Sequence, residues 1–448
     1  MRNKAETLKK EILEKVAKYY QLVHDKSAAQ FVPGKSKVSY AGRVFDEKEM
    51  VNLTEAALEF WLTEGRFTKE FETKLIAKLG ARFALLVNSG SSANLLAFAT
   101  LTSPLLGQRQ IRRDDEVITV AAGFPTTVTP IINYGAIPVF VDVTLDDGTY
   151  NIDCDLLEKA LSKKTKAVML AHTLGNPFNI SQVKAFCEKN NLWLIEDNCD
   201  ALGSKYNGQY TGTFGDIGTS SFYPPHHMTM GEGGAVYMTN PQLYKIARSM
   251  RDWGRDCFCP SGKDNTCGKR FSLQLGTLPY GYDHKYIYSH FGYNLKATDL
   301  QAAIGCVQLE KLDSFIAARK TNWQILYDRM QSAGLDKYFI LPQATVGSDP
   351  SWFGFLLTVK ENVGFGRAEI VAHLEENNIQ TRMLFAGNLI RHPCFDQMRK
   401  EQSGYRVVGE LTNTDRIMNN TFWVGVYPGM GEEHIAYMVQ TLAQKCNE

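Results

Sequence analysis

Two adjacent histidines, His226 and His227, sit in the stretch SFYPPHHMTMGEGG that runs from Ser221 to Gly234. An imidazole changes charge near neutral pH, so either ring can take and return a proton. The stretch holds no lysine, so it offers no amine for covalent capture of a carbonyl. Gly90, Ser91 and Ser92 in NSGSSAN suit a different task. Where a strand turns into a helix beginning near Ser92, their N–H groups and hydroxyls can hold a phosphate, helped by the helix dipole. A plain turn capped by serine has the same sequence pattern. Asp197 in IEDNCDALG follows an apolar run, at the end where open α/β sheets bind ligands. A carboxylate there can keep a neighbouring ring nitrogen protonated, or it can cap a loop. Asp200 follows in the same segment and can reach the same pocket. Phe124 in GFPTTVTPIINYGAIPVFVDV can stack on a planar ring, although core packing is the commoner fate of a phenylalanine.

Cysteines form a second constellation. The chain has nine, and in a cytosolic protein these are not a disulfide framework. Cys199, Cys257, Cys259 and Cys267 are spaced C-x57-C-x-C-x7-C. Four thiolates suit an iron–sulfur cluster or a structural zinc ion, and ligand softness does not choose between them. Cys154, Cys187, Cys306, Cys394 and Cys446 lack ligand-like spacing and read as ordinary core or surface thiols.

These groups need elements to position them. At 448 residues the chain can build two or three domains. Leu8, Ile12, Val16, Tyr19 and Val23 recur at helical spacing. Apolar runs at 83–87, 117–120, 138–143, 167–171 and 192–195 alternate with helical segments, the pattern of a mostly parallel sheet covered by helices. Residues 250–290 crowd Gly, Cys, Tyr and Asp without periodicity. Helices are expected from Ala297 to Leu312 and again over 314–333. FGFLLTV and RAEIVAHLEENNI then read as strand and helix of a smaller α+β domain. The expected division is an N-terminal helix and connector (1–49), a large α/β domain (50–312) with an insertion near 250–290, and a small C-terminal α+β domain (313–448). With 49 basic and 48 acidic residues, charge gives no argument for nucleic acid or membrane partners. The amino terminus is too charged for a secretory signal and no apolar run reaches spanning length, so a cytoplasmic protein is expected.

In order along the chain, NSGSSAN, GFPTTVTPIINYGAIPVFVDV, IEDNCDALG, SFYPPHHMTMGEGGAV and FGYNLKATDLQAAIG resemble the motifs of the sugar aminotransferase-like branch of the fold-type I pyridoxal-phosphate enzymes. The resemblance implies that fold. It also implies that Ser221 and the Gly90–Ser92 turn hold the cofactor phosphate, and that Asp197 holds the pyridine nitrogen. Asn294 would reach the phosphate of the neighbouring subunit, which implies a homodimer with shared sites.

The departure is His226, where amino-transferring members carry lysine. The resemblance then implies pyridoxamine 5′-phosphate (PMP) bound without a covalent tether and His226 as the base, with His227 the weaker candidate. This is similar to the 3-dehydratases of nucleotide-linked 4-keto-6-deoxysugars, in which the cofactor amine condenses at sugar C4 and the C3 hydroxyl leaves. The cysteine spacing resembles the [2Fe–2S] site of those acting on CDP-4-keto-6-deoxyglucose in 3,6-dideoxyhexose synthesis. That resemblance implies electrons relayed from a separate NADH-dependent flavin iron–sulfur reductase. Two other readings are a cluster-free PMP-dependent 3-dehydratase and a noncatalytic, zinc-stapled nucleotide-sugar-binding protein. The colour and metal content of the purified protein separate them.

Overall fold

The computed structural model describes residues 2–25 and 30–447. An eight-stranded sheet forms its centre. In spatial order the strands are Phe83–Val87, Gly234–Met238, Ile217–Ser221, Trp193–Asp197, Thr165–Ala171, Glu116–Val120, Ile137–Val141 and Arg406–Val407. All run one way except Gly234–Met238, which is antiparallel to both neighbours. Val117, Val139, Ala167 and Ile195 are buried, because helices cover both faces of a parallel sheet. One such helix, Gly90–Leu101, is apolar nearly all round (GSSANLLAFATL) and buried along most of its length, as a helix inside a large domain should be.

The five apolar runs expected as strands are strands. Ile217–Ser221 and Gly234–Met238, which flank the histidine stretch, were not expected. IGTSS is small and polar, so no apolar run marks it. Its pairing on both sides makes it a strand.

A second, antiparallel sheet joins Phe339–Ile340, Gly354–Val359, Thr421–Gly425 and Thr381–Arg382. The helix Asp299–Ser332 links the two sheets with 34 residues, about 50 Å of length. The sequence predicts two helices here. One forms because residues 312–314 contain no glycine or proline to break it, and Leu312, Phe315 and Ile316 are all buried. Asp299, in its first turn, accepts hydrogen bonds from the backbone N–H groups of Gly65, Phe67 and Thr68. It thereby caps the helix Arg66–Leu79, whose own N-cap, Gly65, has no side chain to offer.

The helix Arg2–Val23 lies against Glu47–Glu59. Leu8, Tyr19 and Val23 stay half exposed, so its apolar stripe is only partly covered. The connector then crosses to the small sheet, where Val38 pairs with Ile379. Residues 252–298 contain one short 3-10 turn, His284–Tyr286, and are otherwise irregular. No helix among the described residues is long and apolar enough to cross a membrane.

Candidate active site

A cavity of about 510 Å³ opens at the carboxyl ends of the parallel strands. Turns from the large sheet bring Gly90, Ser91, Phe124, Asp197 and Ser221 to it, and the antiparallel sheet with its flanking residues adds Phe353, Arg382 and Trp423.

The turn after Phe83–Val87 forms the anion-binding end. The helix starts at Gly90, two residues earlier than the sequence predicts, because Ser89 is its N-cap and accepts from the Ser92 N–H at 3.1 Å. The Ser89 hydroxyl also donates to Ser92 Oγ at 3.0 Å. Ser92 is thus engaged in the cap and does not line the cavity, whereas Gly90 and Ser91 do. Gly90 is required here, since a Cβ would fall 2.4 Å from that of Ser221.

Asp197 ends its strand and is 4% exposed. Its Oδ2 accepts from Asn94 Nδ2 and from Thr127 Oγ1, each at 2.7 Å, and its Oδ1 accepts from the Cys199 N–H at 3.2 Å. Asn94 is oriented in turn by Thr219, whose hydroxyl donates to it at 2.7 Å. Sequence reasoning missed Asn94 and Thr127. For Asn94 the signal was a polar side chain inside the apolar helix motif. Phe124 escapes core packing: it is half exposed at the cavity and meets Phe385 edge-on at 5.6 Å.

His226 lines the cavity, with Nδ1 3.6 Å from Asp200 Oδ1. Burial, reinforced by the Arg319 guanidinium, pushes the His226 pKa down to about 4. Burial and the neighbouring Asp197 push the Asp200 carboxyl well above the usual range. Both shifts act against charge on this pair. His227 is buried and turned away from the cavity, and its Nε2 donates to the Ser351 carbonyl at 2.7 Å. Only His226 of the pair faces the site.

Arg319 was not anticipated. It projects from the long helix and is buried. Nη2 donates to the carbonyls of Pro225 and His226 at 3.4 and 3.2 Å, and Nη1 to those of Trp352 and Phe353 at 3.2 and 3.3 Å. One guanidinium so ties the histidine loop to the segment that leads into the strand Gly354–Val359.

The cysteines separate. Cys257, Cys259 and Cys267 line one small cavity together with His284. His284 Nδ1 lies 3.8 Å from Cys267 Sγ, and its Nε2 lies 2.7 Å from Asp256 Oδ2. Cys199 lines the larger cavity instead. Among the described residues no group of three or more His, Cys, Asp or Glu is arranged to hold a metal ion. Asn294 is exposed, accepts from Lys296 Nζ at 2.8 Å and does not line the cavity of its own chain.

The model of the DegT/DnrJ/EryC1/StrS aminotransferase family matches residues 44–443. The chain belongs to that family. Within it, the chain is 57% identical over 435 residues to the Salmonella typhimurium (strain LT2) lipopolysaccharide biosynthesis protein RfbH, covering 97% of each. It is 50% identical to the dTDP-4-dehydro-2,6-dideoxy-D-glucose 3-dehydratase of Saccharopolyspora spinosa, over 97% of this chain and 92% of that one. Among solved structures it is similar to an E. coli GDP-4-keto-6-deoxy-D-mannose-3-dehydratase with bound hydrated PLP. The TM-score is 0.80 at 28% identity, over 90% of this chain and 99% of that one. The mostly parallel α/β architecture expected from the motifs is thus that of the DegT/DnrJ/EryC1/StrS family.

Proposed function

We propose that this chain is a PMP-dependent 3-dehydratase of a nucleotide-linked 4-keto-6-deoxysugar. The observation that carries the reading is His226, a neutral imidazole lining the cavity at the position where amino-transferring members carry lysine. The residues present fit the cofactor. The N–H groups of Gly90 and Ser91 and the Ser221 hydroxyl would hold its phosphate. Asp197 would face its ring nitrogen, and Phe124 would cover its ring. When bound, the cofactor supplies an amine for the sugar ketone and a ring that accepts electrons. His226 would accept the proton at cofactor C4′, and its low pKa keeps it in the accepting form at neutral pH. Arg319 holds the backbone that carries His226.

The test is incubation with PMP and a 4-keto-6-deoxysugar nucleotide in ¹⁸O-water. Label is expected at sugar C3, with solvent exchange at cofactor C4′. A 4-amino sugar formed with an amino donor, or a borohydride-reduced pyridoxyl-lysine peptide, would overturn the reading. Anaerobic assays with CDP-, dTDP- and GDP-linked sugars decide the nucleotide, for which we propose CDP.

The finer reading adds a homodimer, a [2Fe–2S] cluster on Cys199, Cys257, Cys259 and Cys267, and the flavin iron–sulfur reductase as electron donor. The cysteine spacing supports the cluster, as does the cavity shared by three of the thiols. Within one chain the four residues do not fit it, because Cys199 faces the other cavity. Exposed aromatic rings on the same segment, including Phe271, Tyr280 and Phe291, support a covering subunit.

A further inference from the structure

The outer wall of the cavity carries a charge that the proton chemistry does not use. Arg382 is the only lysine or arginine among the described residues that line it, and the carboxyl groups lining it are Asp197 and Asp200. Arg382 ends the short strand Thr381–Arg382, opposite Trp423 of the neighbouring strand. Its guanidinium lies 3.9 Å over the Tyr40 ring, and Nη1 donates to the Thr381 carbonyl at 2.7 Å. Tyr40 packs edge-on against Trp423 at 5.4 Å, and Trp423 Nε1 donates to the Met383 carbonyl at 3.0 Å. The stacked guanidinium is therefore set in place before any ligand arrives. Among the described residues it has no carboxylate partner. A preorganised arginine without a counter-ion at the mouth of a cavity suits an anion, and its planar fork suits phosphate oxygens.

The substrate class supplies such an anion. The cofactor phosphate belongs at the Gly90–Ser91 turn, so it leaves Arg382 free. The sugar must present C3 and C4 to the cofactor and His226. Its diphosphate hangs from C1, across the ring from C4, and so leaves toward the mouth. We infer that Arg382, stacked on Tyr40, binds the diphosphate of the nucleotide-sugar substrate. Tyr40 lies on the connector, ahead of residue 44 where the family match begins. The platform under Arg382 is thus supplied by a part of the chain outside that match. The inference rests on the nucleotide-sugar reading proposed above.

The experiment measures binding of CDP, dTDP and GDP, and of the matching nucleosides, to the PMP-loaded protein by calorimetry. The unaltered protein is expected to bind at least one diphosphate more tightly than its nucleoside. Arg382→Ala should weaken that diphosphate by about 10–100-fold and leave the nucleoside unchanged. Arg382→Lys should recover part of the loss, because it restores charge without the fork. Tyr40→Leu should weaken the diphosphate by a smaller factor, through loss of the platform. An unaltered PMP absorption spectrum in each variant certifies the fold. Equal diphosphate affinity in Arg382→Ala, or an equal loss for diphosphate and nucleoside, would overturn the assignment of Arg382. If the unaltered protein binds none of the three diphosphates, the nucleotide-sugar reading itself fails.

Discussion

Asp197 is held by hydrogen bonds from three separate segments of its own chain and is 4% exposed, whereas Phe291, in the irregular segment, stands fully in solvent. The contrast extends to the groups around each. His226 sits in a loop clamped by Arg319. Cys257, Cys259 and Cys267 sit on a segment whose Tyr280, Tyr286 and Tyr288 rings are more than half exposed. His226, Asp197 and Asp200 all line the pocket from one chain, so substitutions in that chain should read its proton chemistry directly. Bare aromatic rings at such density mark a surface that another surface covers. Whatever the thiols do should depend on that covering. Deuterium wash-out at cofactor C4′ puts numbers on the difference, since it reads the pocket alone.

His226→Asn should have the largest effect. Asn is similar in shape but does not accept a proton usefully, so wash-out should slow by about 10²–10⁴-fold while PMP still binds. Near-normal wash-out would assign the proton to another group and remove the pocket's claim to the chemistry.

Arg319 comes next. In the unaltered protein wash-out should stay flat through the neutral range, because His226 takes a proton only as pH falls to about 4. Arg319→Met removes a neighbouring positive charge, so His226 should protonate more readily. The acid limb should then move to higher pH, by roughly one unit. Loss of the carbonyl hydrogen bonds should also slow wash-out by about 10–100-fold at neutral pH through misplacement. Arg319→Lys separates the two effects. It keeps the charge, so the limb should return, but it lacks the fork, so the slowing should persist. A limb that does not move in Arg319→Met would reduce Arg319 to a purely structural tie.

The same contrast explains what could be read from the sequence. Parallel strands are buried on both faces, so Phe83–Val87 and its neighbours announce themselves as apolar runs. Ile217–Ser221 is small and polar and becomes a strand only through its partners. Asp197 and His226 were legible because short motifs carry them. Arg319 was not, because its contact with His226 spans 93 residues and no local pattern records it. Ser89 was missed for the opposite reason, since one of several adjacent serines must be the cap and spacing does not say which. The cysteine spacing names four thiols but does not state which cavity each one faces. That is why Cys199 parts company with the other three.

Cys259→Ser should have the smallest effect on wash-out. Cys259 lies outside the larger cavity, and a small substitution on an exposed segment shifts stability by only about 0.5 kcal/mol. Wash-out should therefore stay within about 2-fold. Iron and acid-labile sulfide should fall together in the same protein, as the cluster reading requires. Cys199→Ser completes the argument, because Cys199 lines the pocket. If all four thiols hold the cluster, both variants lose iron, but only Cys199→Ser also alters wash-out. If Cys199→Ser keeps its iron in full, the four-cysteine cluster is wrong, and the loop thiols with His284 are left as the metal site. If Cys259→Ser instead loses zinc, wash-out and thermal stability together, the metal is a structural staple coupled to folding. The separation between the proton chemistry of the pocket and the metal chemistry of the loop would then fail.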